Sequence, residues 1–167
     1  VAEALSQIVG GQGYVARLGG DEFAVLILGS GCEPRLEGIA QRILGRFSQP
    51  FRIDERTTAV GVSIGLSVSS GADDTASELM RRADVAMYAA KSEGRSRVQI
   101  YQTSLDFKRD ENRALALELR QHIDKGRLTV VYQPIVDART RRTKGVEALV
   151  RWPKDAASYH TPDVFIP

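Results

Sequence analysis

The sequence has a single cysteine, Cys32, among 167 residues. One cysteine cannot form an internal disulfide, which excludes the small disulfide-stabilised secreted domains and favours a reducing compartment, the cytoplasm. Long apolar runs are also absent, since the longest covers only residues 23–28, whereas a membrane-spanning helix needs about 20 residues. We expect no membrane contact within this segment, although other domains of a longer parent protein are free to supply an anchor.

Aromatic residues are scarce, at 7% of the chain, and basic residues barely outnumber acidic ones, 23 to 21. Nucleic-acid binding requires a clustered basic surface, and recognition of single strands adds aromatic side chains among the cations. The aromatic residues are few and are not interleaved with cations, and the basic residues at 139–144 fit a solvated hairpin turn, so we expect no nucleic-acid partner. A hydrophobic content of 43% excludes a disordered chain, and the length suffices for one domain or slightly more.

Apolar periodicity predicts helices at residues 2–9, at 35–47, from a capping box at Thr75 to Gly94, and at 103–125. Strands are predicted as pairs at 14–18 with 23–28, at 51–54 with 58–68 and at 128–137 with 144–152, with a single strand at 98–101. Hairpins joined by helices predict an α+β fold, a two-layer sandwich with a mainly antiparallel sheet.

The composition shifts to charged residues at 102–112, which predicts a domain boundary there. We therefore divide the chain into a first domain at 1–102, a linker helix at 103–125 and a second domain at 126–167. The chain starts without methionine inside a predicted helix and stops without a closing element. We expect a longer parent protein.

The first candidate site is the tip of the first hairpin, which reads Gly19, Gly20, Asp21 and Glu22. Glycines allow a ligand to approach the backbone closely. Two adjacent carboxylates supply oxygen ligands for a divalent cation and a base for a hydroxyl nucleophile. The alternative is a plain turn, because glycine, aspartate and glutamate are common in turns for conformational reasons alone.

The second candidate site lies where the third predicted helix ends. Lys91 and Arg95 flank this end, so both cations can converge on a polyphosphate. The alternative is that they only complement the helix dipole, which favours cations near a helix C-terminus.

Three stretches occur together and in order: RLGGDEFAVL at 17–26, VSIGLSV at 62–68 and ADVAMYAAKSEGRSRVQIY at 83–101. Together they closely resemble the GGDEF family of diguanylate cyclases. Residues 118–152, with TPDVFIP at 161–167, resemble the opening of an EAL-type cyclic di-GMP phosphodiesterase domain. The chain is thus similar to the junction of a GGDEF–EAL tandem protein.

The GGDEF resemblance implies a nucleotidyl-cyclase palm-like fold and the joining of two GTP molecules into cyclic di-GMP by a homodimer, with Mg²⁺ or Mn²⁺. It implies that Gly19 and Gly20 lie against the nucleotide. Asp21 and Glu22 serve the metals and the deprotonation. Lys91 and Arg95 hold the terminal phosphates.

The EAL resemblance implies the first strands of an α/β barrel, in which Glu147 binds a metal while Gln133 and Arg151 contact the dinucleotide. The stretch PKDAASYH at 153–160 departs from the usual family loop. Other ligands of both families match no residue here, so we expect no turnover by this segment alone. A further rival function is a non-catalytic receptor or regulatory module that binds GTP or cyclic di-GMP.

A GGDEF-like sheet would also lack its opening strand in this segment. We expect the gap to be filled by strand 128–137 or by a second chain.

Overall fold

A computed structural model describes residues 1–29, 31–53, 55–71, 74–155 and 158–166. The helices are α1 (Ala2–Val9), α2 (Glu33–Phe47), α3 (Ala76–Ser92), α4 (Thr103–Asp124) and α5 (Pro162–Phe165). The strands are β1 (Gly13–Gly19), β2 (Glu22–Ile27), β3 (Phe51–Ile53), β4 (Arg56–Thr58), β5 (Ile64–Leu66), β6 (Val98–Ile100), β7 (Thr129–Val136), β8 (Thr143–Pro153) and β9 (Tyr159–His160).

The chain divides into two compact units, Val1–Asp106 and Phe107–Pro167, with the boundary inside α4. The first unit contains three two-stranded sheets: antiparallel β1–β2, antiparallel β3–β4 and parallel β5–β6. The second unit contains the antiparallel sheet β7–β8–β9. These hairpins with helices confirm the α+β fold class.

The core of the first unit forms where α1, β2 and α2 meet. On α2, Ile39, Ile43 and Phe47 follow one another at intervals of four, which places them on one helix face, and all three are buried. The inward face of the β1–β2 hairpin packs partly buried side chains against this cluster, including Val15 and Val25. This packing fixes the base of the hairpin whose tip carries the GGDEF residues.

Helix α3 begins with the cap that its sequence predicts. The Thr75 side chain accepts a hydrogen bond from the Glu78 backbone N–H at 3.1 Å. The Glu78 carboxylate does not complete a capping box but pairs with Arg81 and Arg82, each at 2.9 Å. The hydrogen bond from Arg81 is the main cause of a lowered pKa of Glu78.

Arg81 also connects α3 to the first turn of α4. Arg81 forms an ion pair with Asp106 at 2.6 Å, and the Tyr101 hydroxyl donates a hydrogen bond to Asp106 at 2.5 Å. That hydrogen bond raises the pKa of Tyr101. The start of α4 is therefore anchored to the first unit.

In the second unit, Trp152 is the only fully buried large side chain among the described residues, and it lies within a cluster of rings. Its ring centroid is 4.3 Å from that of His160, 5.5 Å from that of Phe165 and 5.8 Å from that of His122. Both histidines are thus held in aromatic contacts. Within the described ranges, no helix combines the length and the apolar character that crossing a membrane requires.

Three local expectations are wrong. Residues 58–68 do not form one strand: β4 pairs with β3, whereas β5 is a separate strand that pairs with β6. Strand β7 is not the neighbour expected to fill the place of the opening strand, since its hydrogen-bonded partner is β8; a second chain in that place stays a prediction. The chain also ends in β9 and α5, which the sequence pattern did not indicate. Residue 54 of the predicted strand 51–54 lies outside the described residues.

Candidate functional site

The tip of the β1–β2 hairpin departs from regular pairing. Arg17 pairs with Phe23, and Gly19 pairs with Glu22, with a register shift between Arg17 and Gly19. Gly20 has a φ of 50°, which favours glycine. A Cβ atom at either glycine would meet no atom within 4 Å, so the space beside both residues is open.

One side chain spans this tip. The Arg17 Nε and Nη2 atoms donate hydrogen bonds to the Gly20 carbonyl oxygen at 3.0 and 2.7 Å. The Arg17 guanidinium also lies 6.0 Å from the centre of the Phe23 ring. Sequence reasoning assigned Arg17 no role, although an arginine directly before the Leu-Gly-Gly stretch was the available signal.

Asp21 and Glu22 are exposed at the tip, and neither carboxylate has a hydrogen-bond or ion-pair partner among the described residues. Their oxygens are the ligands that hard divalent cations prefer. No group of three metal-binding side chains occurs within the ranges that the structure describes. The tip therefore offers two candidate oxygen ligands for a cation.

Lys91 and Arg95 flank the end of α3, as predicted. The backbone N–H of Arg95 bonds to the Ala90 carbonyl at 3.0 Å, which closes the helix with a Schellman turn. Three successive residues there have positive φ: Gly94 at 109°, Arg95 at 57° and Ser96 at 48°. Left-handed backbone is strained for residues other than glycine and often occurs at functional sites.

The Lys91 and Arg95 side chains are exposed and, within the described part of the chain, have no ion-pair partner. They lie in the same unit as the hairpin tip. No hydrogen bond or ion pair between described residues joins them to Asp21 or Glu22. The structure thus holds two separate charged groups, one acidic and one basic, free to bind other molecules.

The three residues assigned to the second domain share one face of the β7–β8 hairpin. Gln133 lies directly opposite Glu147, and Thr129 lies opposite Arg151. Because side chains alternate along a strand, Glu147 and Arg151, four residues apart, point to the same side. Gln133 and Glu147 are exposed and Arg151 is half-buried, so the pairing register collects the three on one surface.

The segment 153–160, expected to depart from the usual loop, closes a short hairpin between β8 and β9. The Asp155 carboxylate accepts hydrogen bonds from the Ser158 N–H at 2.8 Å and from the Ser158 hydroxyl at 2.5 Å. Residues 156 and 157 lie outside the described residues. The described part of the turn is therefore held by its own side chains.

A family model described as the diguanylate cyclase GGDEF domain matches residues 1–97. The chain belongs to the GGDEF family. Behind this GGDEF region, a model of the EAL domain matches residues 116–167. The match to both models confirms the resemblance found in the sequence motifs.

Curated relatives are named for the synthesis or hydrolysis of cyclic di-GMP. The GGDEF chain is 38% identical to the bifunctional diguanylate cyclase/cyclic di-GMP phosphodiesterase MucR of Pseudomonas aeruginosa, over 100% of this chain and 24% of MucR. It is 39% identical to the cyclic di-GMP phosphodiesterase PdeR of Escherichia coli, over 83% of this chain and 21% of PdeR. The chain thus spans less than a quarter of the length of either relative.

Solved structures agree on the fold. The GGDEF domain of YfiN (TpbB) from Pseudomonas aeruginosa superimposes with a TM-score of 0.60 at 28% identity, over 65% of this chain and 63% of that one. An EAL/GGDEF domain protein from M. capsulatus gives a TM-score of 0.55 at 38% identity, over 60% of this chain and 65% of that one. Both superpositions support the fold and do not bear on the side-chain contacts of the candidate sites.

Proposed function

We propose that this segment belongs to a tandem GGDEF–EAL protein of cyclic di-GMP signalling. In the complete protein, its GGDEF domain condenses two GTP molecules into cyclic di-GMP and pyrophosphate. The observation that carries this proposal is the set of unpartnered charges: two carboxylates at the hairpin tip and two cations at the end of α3. Arg81 is by contrast used within the fold, in ion pairs with Glu78 and Asp106, whereas the four charges at the two sites remain available to a ligand.

The nucleotide is proposed to approach the hairpin at Gly19 and Gly20. The space around both positions is empty, and Gly19 does not have the positive φ that would require glycine. Folding alone therefore does not explain Gly19. A ligand passing close to the backbone does explain it, because any side chain would occupy that space.

The carboxylates of Asp21 and Glu22 are proposed to hold a divalent cation, Mg²⁺ or Mn²⁺. GGDEF and EAL domains generally depend on divalent metals, and the oxygen donors present fit this chemistry. When bound, the metal neutralises phosphate charge and favours ionisation of a ribose hydroxyl. One of the two carboxylates accepts the proton of that hydroxyl, whose oxygen then attacks the α-phosphorus as pyrophosphate leaves.

Lys91 and Arg95 are proposed to bind the terminal phosphates of GTP. A guanidinium forms paired hydrogen bonds to phosphate oxygens, and an ammonium adds a compact charge. The Schellman turn places Arg95 just beyond the helix, four residues from Lys91. Both cations then stabilise the negative charge of the departing pyrophosphate.

For the EAL region, we propose that Glu147 is a metal ligand and that Gln133 and Arg151 contact cyclic di-GMP. Their common face on the β7–β8 hairpin supports this assignment. We propose the domain limits 1–102 and 126–167, joined by a helix at 103–125. Catalysis by the GGDEF domain is proposed to need a homodimer, since each domain supplies one GTP.

A second candidate function is binding of GTP or cyclic di-GMP without turnover. The observation that favours it is the lack of a third metal-binding side chain near Asp21 and Glu22 among the described residues. The two functions differ in one measurable respect, the appearance of product.

The test uses the full-length protein, incubated with GTP and Mg²⁺ and followed by mass spectrometry of the products. We expect Glu22→Gln to lower the rate of cyclic di-GMP formation by about 100-fold or more, as loss of a catalytic base does. Glu3→Gln is the matched control, since Glu3 is equally exposed and has no described partner. GTP binding by the wild type without any product would establish the receptor instead.

A further inference from the structure

We infer that Arg17 is a positioning residue that holds the carboxylate pair of the hairpin tip in its binding direction. This inference rests on the proposed function, because it assigns Arg17 a purpose through Asp21 and Glu22. Arg17 forms no hydrogen bond or ion pair with either carboxylate among the described contacts. It contacts the backbone carbonyl of Gly20, the residue before Asp21.

The contact is a double one. Two nitrogen atoms of the guanidinium donate to one oxygen, the Gly20 carbonyl, at 3.0 and 2.7 Å. Hydrogen bonds from a charged donor are stronger than neutral ones, and the planar guanidinium gives them a fixed direction. The Arg17 side chain therefore fixes the orientation of the Gly20 carbonyl.

That carbonyl is part of the peptide that joins Gly20 to Asp21. Glycine has the widest choice of backbone angles of any residue, and nothing packs against Gly20 to restrict it. Because a peptide unit is planar, fixing its carbonyl also fixes its N–H and the Asp21 Cα. The Arg17 contact thus sets the direction in which the Asp21 side chain leaves the turn.

The regular ladder cannot do this at the tip, since the register shifts between Arg17 and Gly19. Arg17 is anchored by its own strand and by Phe23, the residue opposite it, whose ring centre is 6.0 Å from the guanidinium. The Arg17 side chain thus adds a constraint at the point where the regular strand register is interrupted.

The distribution of charge favours positioning over neutralisation. An arginine next to two carboxylates would form an ion pair with one of them if its purpose were to cancel charge. Instead, its donors are used on a carbonyl, and Asp21 and Glu22 remain without partners among the described residues. The carboxylates are therefore placed while keeping their oxygens available.

The test compares Arg17→Gln and Arg17→Lys in the full-length protein, with Arg35→Gln as the matched control. Arg35 is also exposed and donates to a loop carbonyl, that of Leu28 at 2.8 Å, at the other end of β2. Two quantities are measured: amide hydrogen exchange of peptides covering residues 17–26, and kcat and KM for GTP.

We expect Arg17→Gln to speed exchange at the tip and to lower kcat by about 10- to 100-fold, as a displaced catalytic group does. KM for GTP should change far less, because Lys91 and Arg95 are untouched. For Arg17→Lys, the exchange rate at the tip and kcat should lie between those of the wild type and of Arg17→Gln. Arg35→Gln should leave both quantities unchanged.

Faster exchange with an unchanged kcat would overturn the inference by making Arg17 merely structural. A lower kcat with unchanged exchange would also overturn it, because Arg17 would then act on the substrate directly. If the wild type forms no product, the proposed function fails separately, and hydrogen exchange at the tip decides whether Arg17 fixes the turn.

Discussion

The glycines of this chain meet two different physical needs. At Gly65 in β5, a Cβ atom would lie 2.0 Å from the Ala83 carbonyl oxygen and 2.3 Å from the Met87 nitrogen. Both atoms belong to the backbone of α3, so glycine there allows a helix to pack directly on a strand. At Gly19 and Gly20 the surrounding space is empty, which is consistent with the proposed approach of a nucleotide to the backbone.

Gly65→Ala should destabilise the first unit by about 1–3 kcal/mol or more, because the backbone of α3 must move away from β5. Gly38→Ala is the matched control, since Gly38 lies inside α2 and a Cβ atom added there would meet no atom within 4 Å. It should stabilise by about 0.5–1 kcal/mol through helix propensity. Urea denaturation followed by circular dichroism measures both, and equal stability of the two variants would contradict the packing argument.

At the scale of single elements, the turn between β7 and β8 is held by one carboxylate. Asp137 accepts hydrogen bonds from the N–H groups of Arg139 at 3.0 Å and Thr140 at 2.7 Å, and it pairs with Lys144 at 2.8 Å. The contact with Lys144, followed by those with Thr140, lowers the pKa of Asp137 to about 2. The turn is thus stabilised by the ionised form.

This lowered pKa predicts a pH dependence of known sign. The unfolded chain binds this proton near pH 3.9, so the stabilisation is fully present above that pH and is lost as pH falls through about 2. Asp137→Asn should therefore flatten the fall in stability of the hairpin between about pH 4 and pH 2. Amide hydrogen exchange of β7 and β8 as a function of pH measures the stability of the hairpin, with Asp110→Asn on α4 as control. The same slope in both variants would show that Asp137 contributes nothing.

The elements also show which features a sequence can predict. Helices α2 and α3 follow from local spacing and a local cap, because each signal lies within a few residues of its effect. The β5–β6 pair does not follow from local signals, since the whole of α3 separates its two strands along the sequence. Likewise, the sequence shows an arginine before the Leu-Gly-Gly stretch, but its bond to Gly20 depends on the register shift of the hairpin.

At the scale of the whole molecule, the two units are unequally packed. Every buried apolar side chain among the described residues lies in the first unit except Trp152. In the second unit, β7 is exposed along its whole length and α4 has no buried residue. Since burial of apolar surface is the main stabilising contribution, the second unit should be the less stable.

Trp152 makes this difference measurable, because it is the only tryptophan of the sequence and lies in the second unit. In urea, we expect its fluorescence to change at a lower midpoint than the circular dichroism of the helices, because α1, α2 and α3 of the first unit contribute the larger share of the helical residues. Ile43→Ala removes a buried side chain of the first core and should cost about 2–5 kcal/mol. It should lower the dichroism midpoint and leave the fluorescence midpoint in place. Fluorescence that shifts together with dichroism would mean that the two units unfold as one, which their separate cores do not predict.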